Sequence, residues 1–133
     1  MKSCEIRSYQ DLTVWQEGMN LAEVCYHLTN TFPKHELYGM SSQIRRAATS
    51  IPANIAEGYG REYRAEYIHF LRIAQGSLKE LETHLQLSAR TKVGLTTNQS
   101  VEPVLKQCES VGKSLRALIR SLQKKDNNTN HNE

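Results

Sequence analysis

Four long stretches of this chain repeat an apolar residue every three or four positions, the spacing that gathers side chains on one face of a helix. Val14, Gly18, Leu21, Cys25, Leu28 and Phe32 make the first stripe, widened by Trp15 and Ala22. The second is Leu37, Met40, Ile44, Ala47, Ile51 and Ile55, and the third is Tyr67, Leu71, Ala74, Leu78, Leu81 and Leu85. Val101, Val104, Cys108, Val111, Leu115, Leu118 and Leu122 make the fourth and most regular. Strand alternation is not the pattern of these segments, so the chain reads as all-α.

With only seven glycines and three prolines in 133 residues, the breaks between segments are easy to place. Asp11 is positioned to cap the first helix, and Pro33 ends it by disfavouring helical geometry at the residue before it. The second helix is expected to open near Glu36 or Leu37, to kink at Pro52, and to stop at Gly58-Tyr59-Gly60. The third is expected from Glu62 to Lys92, with Gly94 as a left-handed terminator in the loop that follows. Pro103 suits only the first turn of a helix, which places the fourth start between Asn98 and Ser100. Beyond Lys125 the chain lacks apolar residues and is expected to be disordered. The organisation is thus an N-terminal extension over 1–10, an up-down-up-down antiparallel four-helix bundle over 11–125, and a disordered polar tail over 126–133.

A chain of this length makes one domain. No apolar run reaches the ~18 residues that span a bilayer, and the N-terminal residues lack the apolar stretch of a signal peptide, so the expected compartment is the cytoplasm, with no membrane partner. Cys4, Cys25 and Cys108 are odd in number and widely spaced, which disfavours a disulfide framework or a zinc site; the last two fall on apolar stripes and read as small hydrophobes.

Little in the sequence points to catalysis. A di-metal bundle site needs Glu-x-x-His on two helices, and the chain offers it once, at Glu66 to His69, with no histidine on the fourth helix to complete a second. Glu23 with His27 and Glu80 with His84 have the spacing of ordinary helix-surface pairs. No phosphate-binding glycine loop and no nucleophile elbow occurs, so we expect no enzyme, no cofactor and no metal. Two polar patterns stand out instead. Gln43, Arg46, Ser50, Asn54 and Glu57 form a stripe on the second helix facing the Glu66, Ile73, Gly76, Ser77, Glu80 and His84 side of the third, where small residues would let the backbones approach closely. This reads as a hydrogen-bonded structural seam, with a ligand pocket as the alternative. On the fourth helix Lys113, Arg116, Arg120 and Lys124 line one side. With Lys106 and Lys125 they set six basic residues against Glu102 and Glu109, leaving the rest of a chain of net charge +3 slightly acidic. Such a stripe can track phosphates, or it can be a solvated face.

Tyr9-Gln10-Asp11-Leu12 with Val14-Trp15, then Phe32-Pro33 and Glu36-Leu37-Tyr38, resembles the bacterial four-helix-bundle family named after 23S ribosomal RNA intervening-sequence proteins. The likeness sharpens in Gln43-Ile44-Arg45-Arg46-Ala47-Ala48, in Ser50-Ile51-Pro52-Ala53-Asn54-Ile55-Ala56-Glu57-Gly58, and in the run from Phe70 to Glu82, and it covers Tyr9 to Leu122. Met40 stands where leucine is common, Tyr67 where phenylalanine is, and the loop after the third helix lacks an aromatic often found there. The resemblance implies a cytosolic homopentameric barrel of bundles without known catalytic activity. One branch of the family serves diversity-generating retroelements, binding nucleic acid through a basic surface and associating with a reverse transcriptase; nothing in this chain assigns it to that branch.

The leading expectation is a non-enzymatic oligomeric bundle that meets RNA or DNA through the basic face of the fourth helix. The rivals are a protein-interaction scaffold without nucleic-acid binding, and a small enzyme with a polar pocket around Glu57, Glu80 and His84.

Overall fold

The computed structural model describes residues 5–131, with side chains as far as Lys125. The described residues hold four α-helices and no strand: α1 Thr13–Thr29, α2 Met40–Tyr59, α3 Arg64–Ser88 and α4 Asn98–His131. Short 3₁₀ turns at Tyr9–Asp11 and Lys34–Glu36 precede α1 and α2.

Helix ends follow local hydrogen bonding more closely than the apolar pattern. Asp11 does not cap α1. Its carboxylate accepts from the backbone N–H groups of Arg7 and Ser8, while Ser8 Oγ accepts from Gln10, a capping box around the 3₁₀ turn; Leu12 precedes α1 with no side-chain cap. Glu36 does not open α2 either. Its carboxylate accepts the Met40 N–H at 2.9 Å, so it caps from outside, and Leu37, expected on the buried stripe, is exposed. Helix α2 ends at Tyr59, within the expected Gly58-Tyr59-Gly60 stop, and the missing side chain of Gly58 is what the packing needs: a Cβ there would sit 2.9 Å from Phe70 Cβ and 3.1 Å from the Tyr67 carbonyl oxygen of α3. Helix α3 stops at Ser88, four residues before the expected Lys92, because the chain folds back and directs the N–H groups of Leu95 and Thr96 to the Ser88 carbonyl. Gly94 has the left-handed backbone (φ 67°) that the sequence suggests, within that loop.

Helix α4 begins at Asn98, within the expected range, with Pro103 just past the first turn, and continues to His131. The boundary drawn at Lys125 therefore falls within helical backbone. Extending a helix already packed on its neighbours orders one residue for each hydrogen bond gained, a smaller cost than nucleating one. Asn132 and Glu133 lie outside the described residues, as do residues 1–4 with Cys4. The N-terminal boundary also shifts, since Tyr9 and Gln10 belong to the 3₁₀ turn that touches both α1 and α2.

Contacts run from α1 to α2, α2 to α3, α3 to α4 and back from α4 to α1. Rising numbers on one helix meet falling numbers on the next. Gly18 approaches Pro52 while Arg45 bonds Thr29 and Asn30, and Ser50 meets Ser77 while Gly58 meets Phe70. The enclosed core is built from the expected stripes, with Leu21, Cys25, Ile44, Ile51, Ile55, Leu71, Leu81, Leu85, Cys108 and Leu115 essentially inaccessible. Ile119 is buried in α4, while Leu118, expected on the stripe, is partly buried beside it. Pro52 is buried too, and α2 runs through it unbroken.

Burial pushes the Cys25 thiol from its ordinary 9.0 up to about 12. Cys108 also rises to about 12, first through burial and then through Cys25 and Glu82 nearby. A raised folded-state value gives stability that is complete below pH 9 and is lost as pH climbs toward 12, because only the unfolded chain releases the protons in that window. Urea denaturation from about pH 8 to about pH 11 should show falling stability, with a shallower fall in a Cys25→Ala/Cys108→Ala variant. An equal pH slope in both proteins would contradict this assignment.

Candidate nucleic-acid interface

At about 100° per residue the positions of α4 divide into an inward arc around Val104, Cys108, Val111, Leu115 and Leu122 and an opposite outward arc. Lys113, Arg116, Arg120 and Lys124 are all exposed on the outward side, over about 16 Å of helix. Lys113 pairs with Glu109 on its own helix, Nζ to Oε1 3.7 Å. Arg116, Arg120 and Lys124 make no ion pair among the described residues. Lys106 is exposed two turns below Lys113 on the same line. Cations held on a rigid helix without acidic partners present a surface suited to a phosphate backbone. They are also what a solvated helix face carries, so geometry alone supplies the capacity and not the ligand.

The α2/α3 stripe is brought together only in part. Ser50 Oγ and Ser77 Oγ are 2.8 Å apart, and the Asn54 amide donates to the Ser50 carbonyl oxygen at 2.8 Å and to Ser50 Oγ at 2.9 Å. These three half-buried residues form a continuous polar link between the helices. Above it Gln43, Arg46 and Glu80 rim an open cleft of about 290 Å³. Glu57 turns out of this cleft to pair with Arg61. His84 Nε2 is buried 3.5 Å from Glu80 Oε1 without hydrogen-bond geometry. Glu57, Glu80 and His84 therefore do not converge on one point. The close approach expected at Gly76 is absent as well: among the described residues no atom lies within 4 Å of where its Cβ would be, and Gly58 makes the tight contact instead.

Three features escaped the sequence. An apolar groove of about 580 Å³ lies between α1 and α2, with Trp15, Met19, Tyr26, Pro52 and Ala53 among its walls and Tyr9 edge-to-face on Trp15 at 5.3 Å. Met19 and Tyr26 flank the buried stripe and remain 45% and 43% exposed; they are apolar residues one step off the core face, which is the signal that could have found them. A second groove, about 650 Å³, separates α3 from α4 and has Arg116 at its wall. Glu17 of α1 accepts hydrogen bonds from Ser110 and Ser114 of α4, at 3.0 and 2.7 Å, and so ties the last helix to the first.

Residues 10–117 match the family model described as 23S rRNA-intervening sequence protein. The chain belongs to that family. Among solved structures the chain is similar to the crystal structure of a protein with unknown function from the S23 ribosomal protein family of Bacteroides thetaiotaomicron. That protein is 29% identical, with a TM-score of 0.71 over 80% of this chain and 98% of its own. No curated protein matches the chain. The family match ends before Arg120 and Lys124, so the upper half of the basic stripe lies outside the matched segment. Among the described residues no helix is long and apolar enough to cross a membrane, and no group of three or more His, Cys, Asp or Glu residues is placed to hold a metal ion.

Proposed function

We propose that this member of the 23S rRNA-intervening sequence family is a non-enzymatic, oligomeric, up-down-up-down antiparallel four-helix bundle that associates with RNA or DNA through the outward face of α4. The observation that carries the nucleic-acid reading is the row of exposed basic residues from Lys113 to Lys124, three of them without an acidic partner among the described residues. The topology is supported by the falling-against-rising contacts between successive helices and by the short connections. Buried free thiols suit a reducing compartment, which is where the cytoplasmic assignment draws its support.

Assembly is supported by two surfaces on different sides of the subunit. One is the apolar α1/α2 groove, with Glu23 on its rim and unpaired among the described residues. The other is the outward side of α3, where Ile73 is 38% exposed, Arg72 has no partner among the described residues, and Gly76 leaves open space. With Gly18 level with Pro52 and Ser50 level with Ser77, Glu23 lies roughly 10 Å along the helices from the Arg72-Ile73 pair. A copy tilted to take up that offset would bring the acidic rim to the arginine and the groove to the isoleucine. Repeated head to tail, a contact of this kind builds a ring where its rotation closes. The family resemblance adds the number of copies, five. A reverse transcriptase enters as a partner only if the chain belongs to the retroelement branch. The scaffold reading draws on the same groove and is what remains if nucleic acid does not bind.

Sedimentation of the wild-type chain should give an assembly, and Met19→Glu should shift it to the monomer at micromolar concentration by placing an unpaired charge in the groove. An assembly unchanged by that substitution would remove the groove from the contact. In electrophoretic titrations at low salt, Arg116→Glu/Arg120→Glu should abolish binding of RNA or DNA while keeping helicity and assembly. If the wild type binds neither, or if the variant dissociates instead, the α4 face is not the binding surface.

A further inference from the structure

The groove between α3 and α4 meets the basic stripe at one residue, Arg116, which belongs to both. Its floor is apolar. Leu78 and Leu105 are joined there by Gly112, where a Cβ would come within 3.3 Å of Leu78 Cδ2 and of Arg116 Nη1. Any larger side chain at 112 would fill the space between the helices at that level. The acids in the walls are already matched along their own helices, Glu82 by Lys79 at 3.4 Å and Glu109 by Lys113 at 3.7 Å. What stays uncommitted among the described residues is the guanidinium of Arg116 and, on the facing helix, the carboxamides of Gln75 and Gln86, which form no hydrogen bond there; Gln75 is the one near Arg116.

A slot with a narrow apolar floor, amides on its wall and one uncommitted cation beside Gly112 form a set of groups that complements a planar base and its phosphate. The volume, about 650 Å³, lies in the range of small-molecule sites. Resting on the nucleic-acid reading of α4, we propose that this groove takes one unstacked base of a single-stranded nucleic acid. The base lies over Leu105, the part-exposed apolar residue of the floor, with its edge toward Gly112. The Gln75 amide, which carries both donor and acceptor, pairs with a base edge. Arg116 holds the adjoining phosphate, and the strand continues along Arg120 and Lys124. A paired and stacked base in a duplex cannot reach a slot beside a helix, whereas a single strand can splay one out. The ligand class is therefore single-stranded RNA or DNA rather than a duplex.

The test compares the full-length chain on a fluorescein-labelled single-stranded RNA of mixed sequence, about 20 nucleotides long, and on the same sequence as a duplex. Wild type should bind the single strand about tenfold more tightly at equal salt. Gly112→Leu should bring the single strand down to the duplex level, and leave duplex affinity and the salt dependence of binding unchanged, since no cation is removed. Gln75→Ala, on an accessible wall where folding is not at stake, should weaken the single strand several-fold and spare the duplex. Equal affinity of wild type for both forms would overturn the slot while leaving the basic face in place, as would Gln75→Ala binding the single strand like wild type. Failure of wild type to bind either form would overturn the nucleic-acid reading itself, and the slot with it.

Discussion

Closure of four narrow apolar stripes on one another is the constraint from which the rest of this structure follows. Each helix alone would leave its stripe in water, at roughly 25 cal/mol for every Å² of apolar surface, so stability belongs to the set and not to any member. The closure is tight where α2 meets its neighbours. Gly58 admits Phe70 and the Tyr67 backbone, and Pro52 packs on Gly18, so a residue that costs the helix a hydrogen bond contributes contact surface to the core. It is looser between α3 and α4, where the wall opens into the 650 Å³ groove.

Because each stripe is narrow, most of every helix surface is left over, and the chain treats these remainders differently. Between α2 and α3 the remainder is knitted by Ser50, Asn54 and Ser77. Between α4 and α1 it is tied by Glu17 to two serines. On the outward arc of α4, Arg116, Arg120 and Lys124 are tied to no acidic group among the described residues, and these cations gain little from the folded state. Removing them should cost the fold little, which separates a surface kept for a partner from one kept for stability.

The periodic stripes made the all-helical class, the four segments and nearly the whole core legible, because burial of an amphipathic face is a property of spacing alone. Helix ends were harder. Glu36 caps α2 from outside it and Asp11 caps a 3₁₀ turn, contacts that no spacing rule contains, and Ser88 ends α3 because Leu95 and Thr96 return to its carbonyl. The basic stripe of α4 was legible residue by residue, since one helix face needs no tertiary information. The polar stripe was not: whether Glu57 turns toward α3 or to Arg61 depends on rotamers and on how α3 departs from the turn. Grooves between helices are invisible to periodicity altogether, because they report where side chains fail to fill space.

If the outward face of α4 works as an electrostatic contact for nucleic acid, the dependence of wild-type binding on salt tests it most directly. With Lys113, Arg116, Arg120 and Lys124 each neutralising a phosphate, the logarithm of the binding constant should fall linearly with the logarithm of salt concentration, with a slope of about −3 for every subunit engaged. A slope near zero, or binding that survives molar salt, would mean that these four residues are solvated and that the protein meets its partner through another face.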